Sequence, residues 1–130
     1  MMTISELARS GGVGVETVRY YQRRGLLAAP DKAGKTGIRH YGTAEAERLC
    51  FIRSAQQAGF TLTQIAELLE LDSGRDRKRV REMASARIAA LDEEIQRLQQ
   101  SRTALAALAT ECGRGDVGPC PIIRAFEKAG

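Results

Sequence analysis

Apolar residues recur along the chain at helical spacing, cut by glycines into short segments and then, beyond residue 74, running on as one long one. Thr3-Ile-Ser-Glu6 sets a hydroxyl three residues ahead of a carboxylate and just before Leu7 and Ala8, the signature of a capping box, and predicts a short helix there. Gly11-Gly12-Val13-Gly14 breaks it. A second helical pattern follows from Val15 to Arg24, with Val18 and then Tyr21 or Gln22 at steps of three to four, and stops at Gly25. Two short helices joined by a glycine turn outline a helix-turn-helix.

The next stretch, Ala28 to Gly37, is rich in turn formers and holds Lys32 and Lys35. Ile38-Arg39-His40-Tyr41 then alternates as a strand would. Together they predict a hairpin, or wing, with basic residues at its tip and edge. Thr43, Glu45 and Glu47 open a third helix by the same capping logic, with Leu49, Phe51, Ile52 and Ala55 as its buried face; Cys50 reads as a small core residue within it. After Gly59, Thr61-Leu-Thr-Gln64 caps a fourth helix carrying Ile65, Leu68, Leu69 and Leu71.

Asp72-Ser73-Gly74 marks a boundary. Beyond it Ile88, Leu91, Ile95, Leu98, Leu105 and Leu108 form a heptad seam on a helix expected from about Asp76 to Thr110, roughly 50 Å long at about 1.5 Å per residue. A narrow apolar stripe of that length is too long for a small domain to cover, so it predicts a coiled coil with a second copy. The fold class expected is mostly α: a winged helix-turn-helix domain over 1–74, a dimerisation helix over 75–111, and a loop with a short terminal helix over 112–130.

Composition sharpens this picture in two ways. The chain has 130 residues, 28% of them charged and only 5% aromatic, with no Trp, which excludes a large enzyme and leaves little bulky core material. Its formal charge is +4, and residues 1–42 hold seven Lys or Arg against three acids, so the whole excess lies in the N-terminal third. An anionic partner such as double-stranded DNA is expected there. Thr17, Arg19, Tyr20, Arg23 and Arg24 on the second helix are candidate phosphate and base contacts. His40 reads as a DNA-facing or packing residue. No apolar run long enough to span a membrane occurs, and no secretory leader is seen, so a reducing, cytoplasmic setting is expected.

The chemistry sits at the far end, in Cys112-Gly-Arg-Gly-Asp-Val-Gly-Pro-Cys120-Pro-Ile-Ile123. Seven residues separate the cysteines, three of them glycine. Two thiolates without a neighbouring His suit a soft ion of low coordination number: Cu(I), Ag(I), Au(I) or Hg(II). A tetrahedral zinc site needs two more ligands, and no good candidate is local. Spacing alone leaves two other readings open, a pair of ordinary buried cysteines and a thiol–disulfide switch. No nucleophile–base pair or phosphate loop points to an enzyme.

Val15-Glu-Thr-Val-Arg-Tyr-Tyr-Gln-Arg-Arg-Gly-Leu-Leu27, Ile38-Arg-His-Tyr-Gly42, Phe51-Ile-Arg-Ser-Ala55 and Gly59-Phe-Thr-Leu-Thr-Gln-Ile-Ala-Glu-Leu-Leu69 together resemble the MerR family of bacterial transcription regulators. The resemblance extends through the long helix to Cys-x7-Cys-Pro-Ile-Ile. It implies a winged-helix DNA-binding domain, an antiparallel coiled-coil dimer and a C-terminal effector loop. It implies operator contacts by Thr17, Arg19, Tyr20 and Tyr21 and, from the wing, by Arg39 and Tyr41. It also implies that effector binding bends and untwists a promoter with overlong spacing, so that RNA polymerase can use it.

The DNA-binding half looks most like the mercury regulators, which the resemblance credits with three cysteine ligands, the first supplied by the partner; Arg77 stands at that position here. The Cys112/Cys120 loop is similar instead to the copper, silver and gold regulators, which hold a monovalent ion between two thiolates and carry Ser where this chain has Arg77. Two thiolates and a +1 ion leave a charge of −1, which Arg77 or Arg81 from the partner is placed to neutralise; the same residues also read as a solvated basic face or as contacts to the DNA backbone. A monovalent coinage metal is expected ahead of Hg(II), with a redox or small-molecule effector as the rival of another kind.

Overall fold

A computed structural model describes residues 1–30, 40–72, 74, 76–115 and 117–129. Six helices follow one another: α1 (Ile4–Ser10), α2 (Val15–Arg23), α3 (Thr43–Gln57), α4 (Leu62–Asp72), α5 (Arg77–Cys112) and α6 (Pro121–Ala129). The chain divides into two compact units, Met1–Arg87 and Ile88–Gly130. Among the described residues no helix is long and apolar enough to cross a membrane.

In the first unit the helix starts follow from their caps. Thr3 Oγ1 accepts the Glu6 N–H at 3.2 Å, and the Glu6 carboxylate accepts the Thr3 N–H in return. Thr61 and Gln64 repeat the exchange ahead of α4, at 3.1 and 2.9 Å. At α3 the cap lies one residue earlier than Thr43: Gly42 is the N-cap, and its N–H donates to the Glu45 carboxylate at 2.8 Å. That follows from register, since Glu45 stands three residues after Gly42.

The core of this unit closes where α1, α2, α3 and α4 meet, with Leu7, Val18, Leu49, Ile52 and Ile65 fully buried. The α1–α2 turn must pass close to α3. A Cβ on Gly11 would meet Leu49 Cδ2 at 2.5 Å, so only glycine fits there. Two expected core residues are corrected. Leu49, Ile52 and Ala55 do form the buried face of α3, but Phe51 is 38% exposed and Cys50 is exposed. At about 100° per residue, both lie off the stripe set by the other three.

The expected hairpin falls mostly on residues 31–39, which lie outside the described residues. Just after them Tyr41 pairs antiparallel with Met2, each N–H donating to the other's carbonyl at 2.7 Å. The first turns of α5 belong to this unit as well. Asp76 accepts the Arg79 N–H and so caps the helix. Arg79 forks onto the Glu67 carboxylate of α4 at 2.7 and 3.3 Å, Met83 is buried, and Arg87 donates to the Gly59 carbonyl at 3.3 Å.

In the second unit α5 continues unbroken to Cys112, and its seam is open, with Ile88 57% and Leu98 52% exposed. On α6, Ile123 and Phe126 are exposed as well.

Candidate DNA interface and thiol site

The face of α2 that turns away from the core is cationic. Arg19, Arg23 and Arg24 are exposed, and among the described residues Arg19 alone of the three has a carboxylate partner, Glu16 at 3.4 Å. Tyr20 lies among them: the Arg23 and Arg24 guanidinium carbons stand 5.8 and 5.7 Å from its ring centroid, and Arg24 donates to its hydroxyl at 2.8 Å. These contacts hold two cations and a ring in a fixed order on the helix surface. Thr17 is half-buried beside them.

Tyr21 and Tyr41, both expected to touch DNA, are placed otherwise. Tyr21 is 2% and Tyr41 1% exposed, so both rings belong to the core. Their hydroxyls are used internally: Tyr21 donates to Gln56 Oε1 of α3 at 2.6 Å, and Tyr41 accepts from Gln22 Nε2 of α2 at 2.9 Å. One phenol ties the basic helix to α3, and the other ties it to the Met2–Tyr41 bridge. The physical reason is that a Tyr on an apolar stripe buries its ring wherever its hydroxyl finds a partner. His40 is half-buried beside Tyr41. Lys35 and Arg39 lie outside the described residues.

Gln22 and Gln56 carry this arrangement without having been singled out from sequence for such roles. The signal for Gln56 was available: it follows Leu49 and Ile52 on one face of α3, and a polar side chain on a buried stripe needs a hydrogen-bond partner.

The second unit brings Cys112 and Cys120 together. Cys112 is the last residue of α5, and Cys120 directly precedes Pro121, the first residue of α6. Proline suits a first helical position because it has no N–H to leave unpaired. The Cys120 sulfur receives the backbone N–H groups of Ile123 and Ile122, which lowers its pKa; the two thiols also hydrogen-bond to each other. Cys112 is pushed the other way by the negative charge of Cys120, by their mutual hydrogen bond and by burial. The pair therefore loses one proton readily and holds the second. Both residues are half-buried, and among the described residues no group of three His, Cys, Asp or Glu gathers to hold an ion. Two adjacent sulfurs, one already favoured as thiolate, fit a soft ion that accepts few ligands and do not fit one that needs four.

Arg77 and Arg81 are exposed on the first turns of α5 in the other unit, and no ion pair engages them among the described residues.

Several known proteins are similar to this chain over most of its length. A family model described as MerR HTH family regulatory protein matches residues 2–72, and one described as MerR, DNA binding matches residues 46–108. The mercuric resistance operon regulatory protein of Shigella flexneri is 40% identical over 128 residues, covering 97% of this chain and 88% of that protein. The HTH-type transcriptional regulator CueR of Escherichia coli O157:H7 is 33% identical over 124 residues, covering 94% and 91%. Among solved structures, the transcription regulator PbrR691 from Ralstonia metallidurans CH34, in complex with lead(II), superposes with a TM-score of 0.68 at 28% identity, covering 97% of this chain and 99% of that one.

Proposed function

Because this chain belongs to the MerR family of metal-responsive, DNA-binding transcription regulators, we propose that its effector is a soft ion held by Cys112 and Cys120, a monovalent coinage ion, Cu(I), Ag(I) or Au(I), ahead of Hg(II). The observation that carries this reading is the thiol pair itself: two sulfurs in hydrogen-bond contact, with no third His, Cys, Asp or Glu gathered beside them among the described residues. Two thiolates suit a monovalent ion of low coordination number, and the residual charge of −1 is met in part by the Ile122 and Ile123 N–H groups at the start of α6. Arg77 and Arg81 of a second copy supply further positive charge.

Hg(II) is the second reading, and the higher identity to the mercury regulators favours it: 40% against 33% for CueR. Two thiolates neutralise a +2 ion fully. Arg77, at the position where the mercury regulators carry their first cysteine, removes the third ligand and weakens this alternative.

The chain's own residues give the response a route. Cys112 ends α5 and Cys120 opens α6, so joining their sulfurs fixes the path between the two helices. The open seam of Ile88, Leu91, Ile95, Leu98 and Leu105 pairs with that of a second copy, making a cytoplasmic homodimer that presents two basic helices to an operator. Thr17, Arg19, Tyr20 and Arg23 of α2, with Lys35, Arg39 and His40 of the hairpin, contact the DNA. The bound ion favours one of two dimer states, and the difference is expressed as distortion of the promoter that RNA polymerase then reads. Regulation is of a metal-resistance operon.

The test is a promoter–reporter panel with Cu, Ag, Au, Hg, Cd, Pb and Zn salts. Induction by Cu, Ag or Au, absent in Cys112→Ser and Cys120→Ser, is expected. Induction by Hg alone selects the second reading, and full induction in both cysteine variants overturns the thiol site.

A further inference from the structure

We infer that Arg87 is a positioning residue that couples α5 to the DNA-binding unit: seated past the end of α3, it fixes the first turns of α5 there, so that a change farther along α5 reaches the unit as a whole. Arg87 is the last residue of the first unit, and α5 runs on from it unbroken to Cys112. Met83 and Arg79 stand four and eight residues before it, on the same helix face. All three meet the unit. Arg79 forks onto Glu67 of α4, Met83 is buried, and Arg87 Nη1 donates to the Gly59 carbonyl at 3.3 Å.

These three attachments are unequal. The Arg79–Glu67 pair is open to solvent, where an ion pair contributes little. Met83 is the one buried residue of α5 among the described residues, and beside it a cleft of about 180 Å³, lined in part by Phe60, Gln64 and Ala86, interrupts the packing between α4 and α5. Arg87 is half-buried, and its guanidinium stands just beyond the C-terminus of α3, where carbonyls without intrahelical partners carry partial negative charge. Gly59 admits it. The φ of +95° there turns the chain out of α3, and a Cβ would stand 2.8 Å from Arg87 Cζ.

Seating an arginine in this place has a cost. Arg87 Nε is shut away from solvent with no hydrogen-bond partner, a loss that an apolar side chain of similar length avoids. Packing alone therefore does not call for arginine at this position, whereas holding the Gly59 carbonyl does. Without that hold the last fixed point of α5 is Met83, one turn earlier, and the helix can pivot over the cleft. The preference of a bound ion for one of two states is then absorbed in the pivot before it reaches α2. This role deepens the proposed function and rests on Cys112 and Cys120 being the effector site.

The experiment uses the full-length protein and the promoter–reporter, with Cu and Hg salts as the probes. Arg87→Met keeps the bulk and removes both donors; Arg87→Lys keeps one. Arg87→Met is expected to lower the ratio of induced to basal expression by roughly 2- to 30-fold, the range over which residues between two coupled sites change that coupling. Its affinity for Cu(I) and for the promoter without added ion should match the wild type, and Arg87→Lys should recover much of the ratio. A folded Arg87→Met protein with the wild-type ratio overturns the coupling role and leaves the thiol site standing. So does a variant that loses promoter affinity without any ion added, because that loss marks a merely structural residue. A wild type induced by neither salt rejects the effector reading and the coupling role with it.

A second measurement needs no substitution. The NMR signal of the Arg87 Nε–H in the wild-type protein is expected to exchange slowly with water, and to stay slow when one Cu(I) per chain is added, since the attachment persists in both states. Exchange as fast as that of an exposed arginine, before or after Cu(I), overturns the proposal.

Discussion

Replacing Tyr21 by Phe removes one oxygen and keeps the ring, so it isolates the hydrogen bond from Tyr21 to Gln56 Oε1, a 2.6 Å contact between α2 and α3. A neutral hydrogen bond contributes about 0.5–1.5 kcal/mol net, and stranding a buried acceptor raises the loss to about 1–3 kcal/mol. Gln56 is half-buried, and Arg53 Nη1 stands 3.5 Å from the same oxygen, so the orphaned acceptor is partly answered. The expected cost is therefore about 1 kcal/mol, read as a lower denaturant midpoint with an unchanged slope. A Tyr21→Phe/Gln56→Ala cycle should show that the two changes are not additive. Affinity for DNA is expected to fall only slightly, with the salt dependence intact, because the phenol faces inward. The reasoning is refuted if Tyr21→Phe keeps wild-type stability but loses DNA affinity by about 1–3 kcal/mol with relaxed sequence preference, the mark of a base contact.

Gly11→Ala drives a methyl group to 2.5 Å from Leu49 Cδ2, and the overpacking should cost about 1–3 kcal/mol, measured by chemical denaturation. Leu98→Lys puts a charge in the open α5 seam and should turn a dimer into a monomer by analytical ultracentrifugation while the helix-turn-helix unit stays folded. For the thiols the sign is definite. Folded Cys120 has its pKa lowered from the ordinary 9.0 by the Ile123 and Ile122 N–H groups, so its thiolate stabilises the fold as pH rises from that lowered value toward 9.0 and the benefit is lost as pH falls through it. Cys112, raised from 9.0, opposes the fold above that value. Iodoacetamide mapping across pH should accordingly label Cys120 before Cys112, and the reverse order would contradict the capping geometry.

Local signals in the sequence were enough for the element plan. Thr3 with Glu6 and Thr61 with Gln64 each carry both halves of a capping box within four residues, and both form. The start of α3 shifted to Gly42 because Glu45, the residue that closes the cap, counts back to Gly42 rather than to Thr43. Phe51 and Cys50 were misread since apolar character alone cannot distinguish the buried stripe from the position next to it; only tertiary packing chose Leu49, Ile52 and Ala55.

The candidate DNA face was legible as a cluster of cations and aromatic rings. The division of labour within it was not. The partners of Tyr21 and Tyr41 are 35 and 19 residues away in sequence, and no local pattern pairs them. The thiol pair shows the opposite case. Its spacing and the proline after Cys120 were visible, and the added finding is that backbone N–H groups at the start of α6 already favour one sulfur as thiolate.

The central claim is a two-thiolate site for a soft ion. X-ray absorption on reduced protein loaded with one Cu(I) per chain counts the sulfur neighbours directly. The account predicts two sulfurs and no nitrogen or oxygen ligand, with the signal lost in Cys112→Ser. A third sulfur, or a copper shell that persists in that variant, would contradict it.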